Sequence, residues 1–252
     1  PRIIRQDTAH APARPTHCSR GAIITPIPPS QPQPMPRYQH ILFDLDGTLI
    51  DSAPAILASY REAFSRCDVA PARAIDESIV GPPLVETLQL LTGSHEPALI
   101  ERLADGFKAS YDSEGYKQTA AYAGVGAMLT GLRAAGLQLS IATNKRILPT
   151  RLILAHLGWL GYFEHIYALD LFEPRLPDKA AMIARLLADH ELPEGRSIYI
   201  GDRSEDGESA DANQLPFIAA TWGYGSIEAA AMAGHWRAAA SPAELGALLL
   251  AD

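Results

Sequence analysis

Short unbroken apolar runs alternate along the chain with stretches whose apolar residues recur every three or four positions. Ile41, Leu42 and Phe43 form one such run, the pattern of a strand buried on both faces. Residues 137–142 (LQLSIA), 165–169, 197–200 and 217–221 read as further strands. Helical patterns lie between them: 124–135 closed by Gly136, 148–157 ending at Gly158, 178–190 with Asp178 as N-cap, one starting at Ser226, and 242–250. Strands alternating with helices predict an α/β fold, a parallel sheet with helices on both faces.

One region departs from this alternation. From Ser52 to about Tyr122 no strand is predicted. Residues 52–66 read as an amphipathic helix with Ile56, Tyr60 and Phe64 four apart. After a break at 68–74, GPPLVETLQLLTG is a turn leading into a short helix with Pro83 near its start. Residues 97–111 form another helix, and SEGYKQTAAYAGV is a returning loop. The expected organisation is a core of residues 37–51 and 123–252, with 52–122 as a helical insert. Residues 1–36 are a Pro-rich extension that reaches PIPPSQPQP, with too little to bury and so expected to be disordered. Met35 stands a natural distance before the first strand, which suggests a native start there and leaves the upstream residues outside the native protein.

Composition narrows the function. Hydrophobic residues make up 47% of the chain, enough for a sizeable core. A net charge of -8 argues against a general nucleic-acid binder, which would show a basic patch. It leaves room for an anionic substrate, because a metal ion and a few cations set the local field. The two cysteines, Cys18 and Cys67, do not make a disulfide framework, and a reducing, cytoplasmic setting is expected. No apolar run approaches a membrane span, and no membrane partner is expected.

In an open α/β sheet, ligands bind beyond the carboxyl ends of the strands. The first strand ends in Asp44 and Asp46, followed by Gly47 and Thr48, with Asp51-Ser52 as a helix-cap pair. Two acids that close repel unless a cation lies between them or their protonation differs. The second predicted strand delivers Thr143 and Asn144, and the SIYI strand delivers Asp202, then Glu205 and Asp206. Lys179 opens a helix from which an ammonium reaches the same crevice. Singly, each has an ordinary use: a Thr as helix cap, a Lys in solvent, an Asp in a turn. Their joint order at successive strand ends makes coincidence improbable.

These residues carry a resemblance. DLDGTL, a Thr closing a strand, a Lys, and GDRSED match in order the four signatures of the haloacid dehalogenase-like hydrolases. GPPL at 81–84, AYAGV at 121–125, ATNK at 142–145, Arg175 to Lys179 and TWGYGS at 221–226 resemble the phosphoglycolate phosphatase-like branch. The resemblance covers residue 38 to the end and implies a Rossmann-like core with an inserted helical cap. It implies a phosphatase acting on a small phosphomonoester, phosphoglycolate or a nucleoside monophosphate, as a monomer or homodimer. By the same resemblance Asp44 is the nucleophile that forms an aspartyl-phosphate, and Asp46 the acid and base. Thr143, Lys179 and neighbouring Asn144 hold the phosphoryl oxygens. The resemblance also implies Mg²⁺, bound by Asp44, Asp46 through its carbonyl and Asp202, with Asp206 ligating the ion or orienting its waters, an oxygen set that suits this ion. In the cap, Arg61, Arg66, Gly81 and Pro82 are candidate substrate contacts, although a solvated arginine face and a structural Pro-Pro turn explain them equally well.

Two features depart from the pattern. Gln214 stands where many relatives turn on glycine, awkward for a left-handed backbone, and Glu205, Glu208 and Asp211 make that segment unusually negative. A sugar phosphomutase would use the same residues, and release of inorganic phosphate separates the two. A non-catalytic binding or regulatory protein on the fold is the third reading. Dehalogenases lack the acid at the Asp46 position. Phosphonate hydrolases need a cap lysine, and this insert has none before Lys108.

Overall fold

The computed structural model describes residues 36–225, 227 and 232–251. The chain divides after Met35, so the expected extension over 1–36 lies outside the described residues except for Pro36. The described residues form eight strands: β1 (His40–Phe43), β2 (Ile50–Asp51), β3 (Ala120–Ala121), β4 (Gln138–Thr143), β5 (His165–Ala168), β6 (Ser197–Gly201), β7 (Phe217–Ala220) and β8 (Arg237–Ala239). Six form one sheet in the order β5-β4-β1-β6-β7-β8, parallel throughout.

That order explains where a site must fall. From β1 the chain moves outward through β4 and β5, then returns to the other side of β1 for β6. Crossovers therefore leave in opposite directions beside β1 and open a crevice at its carboxyl end. The register is fixed by Phe43 lying level with Ile141 on one side and Ile200 on the other. Alternation along β1 sends Ile41 and Phe43 into one apolar layer and Leu42 into the other. Burial on both faces is why β1 reads as an unbroken apolar run.

The helices are α1 (Ala53–Arg66), α2 (Leu84–Thr92), α3 (Pro97–Tyr111), α4 (Val125–Ala134), α5 (Ile147–His156), α6 (Lys179–Asp189), α7 (Ser204–Ala212) and α8 (Pro242–Ala251). α1 buries Ile56, Tyr60 and Phe64, the stripe that its spacing predicts. α2 starts after Pro83 and stops at Gly93, whose φ of 65° is a left-handed C-cap. Asp178 caps α6 by accepting from Ala181 N at 2.8 Å.

Several expectations are corrected. The 52–122 stretch does contain a strand: β3 pairs antiparallel with β2, Ile50 opposite Ala121. Two residues are too few to show a period. The alanine-rich end reads as helical, yet Ala238 and Ala239 form β8, paired with Ala219 and Ala220. There sheet pairing overrides the intrinsic preference of alanine. The apolar pattern also gives no sign of α7, which buries Asp206, Gly207 and Ala210 under an acidic surface. The helix expected from Ser226 falls largely on residues outside those described. Gln214 does sit in the left-handed region, with φ of 56°. No described helix is long and apolar enough to cross a membrane.

Candidate active site

β1 hands over directly to the crevice. Asp44 N donates to Ile200 O at 2.8 Å, so Asp44 is still held by the sheet where its side chain enters the site. Gly47 then turns the chain with φ of 82°. A Cβ there would lie 2.2 Å from an oxygen of Asp202, so only glycine lets the two strand ends meet. At the end of β6, a Cβ on Gly201 would lie 2.3 Å from the Asp206 carboxylate.

Asp44, Asp202 and Asp206 are all buried, and each offers an oxygen within 4.8 Å of the others. Lys179 reaches into this group from the first residue of α6. Its Nζ donates to Asp44 Oδ1 at 3.0 Å and to Asp206 Oδ1. Burial alone would lower the Lys179 pKa, but Asp206 and Asp44 hold it well above its usual range. Asp206 also accepts Arg203 N at 3.1 Å. Asp202 accepts Gly225 N at 3.0 Å, and Thr48 Oγ1 at 3.4 Å.

One ammonium does not balance three buried carboxylates. Burial, partly offset by Lys179, pushes Asp44 up to about 6. Burial, then the neighbouring Asp44, pushes Asp202 up to about 7. The surplus negative charge and the all-oxygen donor set fit a divalent cation of the Mg²⁺ type. Asp44, Asp202 and Asp206 would hold it with their side chains.

The Asp46 side chain is not in this group. Its Oδ1 accepts from Ser52 Oγ at 2.5 Å and from Lys145 Nζ at 2.9 Å. Any part in metal binding falls to its backbone carbonyl. Burial would lower the Lys145 pKa, but Asp46 raises it above the normal range. The expected cap pair is thereby corrected. Ser52 occupies the N-cap position of α1 without a capping bond, because its hydroxyl is turned to Asp46. Asp51 instead accepts Tyr224 Oη, which in turn accepts Ala53 N at 2.9 Å.

Thr143 closes β4 and is buried. Its hydroxyl oxygen accepts Lys145 N at 3.2 Å, which leaves its proton free to donate into the crevice. Asn144 Nδ2 donates to Gly81 O at 3.3 Å, while its Oδ1 has no partner. Gly81 and Pro82 line both the crevice beside Lys179 and the chamber beyond Asp46. Arg61 and Arg66 do not line that chamber. Arg61 donates to Ile75 O at 2.7 Å and Arg66 pairs with Glu62, both on the exposed side of α1. The buried stripe of Ile56, Tyr60 and Phe64 fixes which face turns inward, and Arg61, one residue after Tyr60, is carried about a quarter turn away.

Lys145, Arg146, Tyr60 and Tyr111 also reach this site, with no role assigned to them by the sequence motifs. For the first two there is a signal: adjacent cations beginning two residues after a strand-end Thr. The tyrosines look like ordinary core spacing on a helix.

The chain belongs to the haloacid dehalogenase-like hydrolase family, whose sequence model matches residues 41–220. Within the family it stands with the phosphoglycolate phosphatase-like branch. It is 33% identical over 189 residues to a phosphoglycolate phosphatase of Cereibacter sphaeroides, covering 73% of this chain and 85% of that one. It is 37% identical over 192 residues to the tyrosine-protein kinase PtkA of Mycobacterium tuberculosis. That match covers 75% of this chain, which spans only 64% of PtkA's length. Among solved structures, a predicted phosphatase from Clostridium acetobutylicum superposes with a TM-score of 0.76 at 30% identity, over 85% of this chain and 99% of that one.

Proposed function

We propose that the protein is a Mg²⁺-dependent phosphomonoesterase that works through an aspartyl-phosphate on Asp44. The observation that carries this reading is the divergence of two carboxylates only two residues apart. Asp44 faces Lys179 and the acidic group. Asp46 faces Lys145 and Ser52. One is placed to meet phosphorus, the other to handle protons.

In the first half, an Asp44 oxygen bonds to phosphorus and the bond to the leaving oxygen breaks. Asp46 supplies that oxygen with a proton. In the second half, Asp46 takes a proton from water as the water attacks phosphorus. The bond to Asp44 then breaks and inorganic phosphate leaves. Thr143 and Lys179 hold the phosphoryl oxygens throughout. A bound Mg²⁺ would supply charge neutralisation, the main demand of phosphoryl transfer. The 52–122 insert would be the cap that excludes water.

The test is release of inorganic phosphate from small phosphomonoesters with Mg²⁺ and with excess chelator, together with acid trapping of the phospho-enzyme. Turnover that survives the chelator would overturn the reading.

A second reading has one observation in its favour, the identity to PtkA, 37% against 33% to the phosphatase. The same phospho-enzyme would then pass its phosphoryl group to a tyrosine hydroxyl and not to water. Transfer of label from a nucleoside triphosphate to tyrosine, without phosphate release, would favour it.

A further inference from the structure

We propose that this site is built for a phosphomonoester with an uncharged, largely apolar leaving group about the size of one aromatic ring. Small substrates with a second anion, phosphoglycolate among them, would be disfavoured. The inference rests on the phosphomonoesterase reading and concerns the far side of Asp46, where a leaving group would lie.

That side is a small chamber with a cavity volume of about 50 Å³, room for a few waters or one ring and partly open to solvent. The insert and its loop supply Ile56, Tyr60, Ile79, Val80, Phe107 and Tyr111 to its wall. The aromatic residues form a row. Tyr60 and Phe107 have ring centroids 4.5 Å apart, and Phe107 stacks on Tyr111 at 5.3 Å. A row of this kind offers a flat ligand both area and a ring partner.

A carboxylate entering the chamber needs an uncommitted cation, because a buried charge without a partner is costly. Two cations line the chamber, and each already has a carboxylate partner. Lys145 bonds both oxygens of Asp46, at 2.9 and 3.2 Å. Arg146 makes a two-pronged pair with Asp112 at 2.5 and 2.8 Å, and both partners are mostly buried. Such a fork-to-fork pair uses the face of the guanidinium that would otherwise recognise a substrate carboxylate. Lys108 and Arg175 border a neighbouring void, where they pair with Asp105 and Glu86 and are solvent-exposed. The polar atoms left over are neutral: Tyr111 Oη and Asn144 Oδ1 are buried with no hydrogen bond. They suit a single hydroxyl or amide on the leaving group, not a charge.

The test compares benzyl phosphate with phosphoglycolate, both esters of primary alcohols, with acetyl phosphate as a small donor that needs little of the chamber. Wild-type protein should show a kcat/KM for benzyl phosphate at least about tenfold above that for phosphoglycolate, the low end of what one pocket contact discriminates. Asp112→Asn, which releases Arg146 to meet an anion, should shift that ratio toward phosphoglycolate by about tenfold. Equal or reversed preference in the wild type overturns the inference, as does a ratio unmoved by Asp112→Asn in folded protein. If acetyl phosphate is hydrolysed while benzyl phosphate is not, the inference falls and the phosphatase reading stands. If none of the three is hydrolysed, both fall.

Discussion

The crevice at the end of β1 and the chamber beyond Asp46 share Asn144 but are built in opposite ways. The crevice takes charged groups from two adjacent strand ends and the starts of two helices, each fixed to the backbone within a few residues. Its charges are partnered: Lys179 with Asp44 and Asp206, Asp202 with Gly225 N. The chamber is assembled from distant stretches that meet only in the fold, and two of its polar atoms have no partner. The crevice would hold what every substrate shares, a phosphoryl group. The chamber would hold what differs between substrates. Charge and positioning dominate in the first, shape and apolar area in the second.

The largest expected effect lies in the crevice. Asp44→Asn should abolish the trapped phospho-enzyme and lower turnover on the order of 10⁴-fold or more, the scale for loss of a nucleophile. The protein should stay folded, because the change is nearly isosteric and removes one of three crowded carboxylates. A phospho-enzyme still trapped in this variant would show that Asp44 is not the nucleophile.

Asp46 stands on the boundary between the two regions, and its substitution separates them. Asp46→Asn should lower turnover of an alkyl phosphate by roughly 10²–10⁴-fold, the usual range for a lost general acid–base. Aryl phosphates should lose less, because their leaving oxygen needs little protonation. Equal losses on both would remove the proton-transfer role.

This contrast also explains what the sequence makes legible. DLDGTL, the strand-end Thr143, Lys179 and GDRSED are visible because the chemistry fixes both residue type and backbone position. The β1 run and the α1 stripe are visible because burial imposes a period. β2 with β3, and β8, are hidden because a short pairing leaves no period and depends on the neighbouring strand. Arg61 and Arg66 read as candidate contacts because a cation on a helix looks the same whether it faces a cleft or water. Ser52 reads as a cap, and only the fold brings Asp46 close enough to take its hydroxyl. Arg146 is unreadable without Asp112, which lies 34 residues away and meets it only across the cleft.

The crevice's excess charge predicts a particular pH dependence. Asp44 is raised to about 6 and Asp202 to about 7, mainly by burial, while an unfolded aspartate titrates near 3.9. Between those values the native state binds more protons, so their contribution to stability is full at low pH and is lost as pH rises through about 6 to 7. His40 and His165 act in the opposite sense. Burial lowers both, so their contribution is present above about 6.5 and falls as pH drops below it. The increment that Mg²⁺ adds to Tm isolates the carboxylates, since the ion competes with their protons. It should grow steadily from pH 5 to pH 8 and vanish in Asp202→Asn. An increment independent of pH would mean the ion binds elsewhere.

The smallest effect comes from a matched pair of tyrosines, one in each region. Tyr199 lies beneath the crevice, fully buried, and its hydroxyl donates to Ala142 O at 2.7 Å. Tyr199→Phe leaves that carbonyl without this donor and should cost about 1–3 kcal/mol, the penalty for stranding a buried polar group. Tyr111 is equally buried, and no hydrogen bond of normal geometry reaches its hydroxyl, although Lys145 Nζ lies 4.7 Å from its ring centroid. Tyr111→Phe removes a group whose desolvation is uncompensated, so stability should hold within about 0.5 kcal/mol or rise slightly. Its aromatic contact with Phe107 survives the change. Denaturant unfolding of the two variants side by side gives the comparison. If Tyr111→Phe costs as much as Tyr199→Phe, the Tyr111 hydroxyl already has a partner, and the chamber is not holding a polar group in reserve for its ligand.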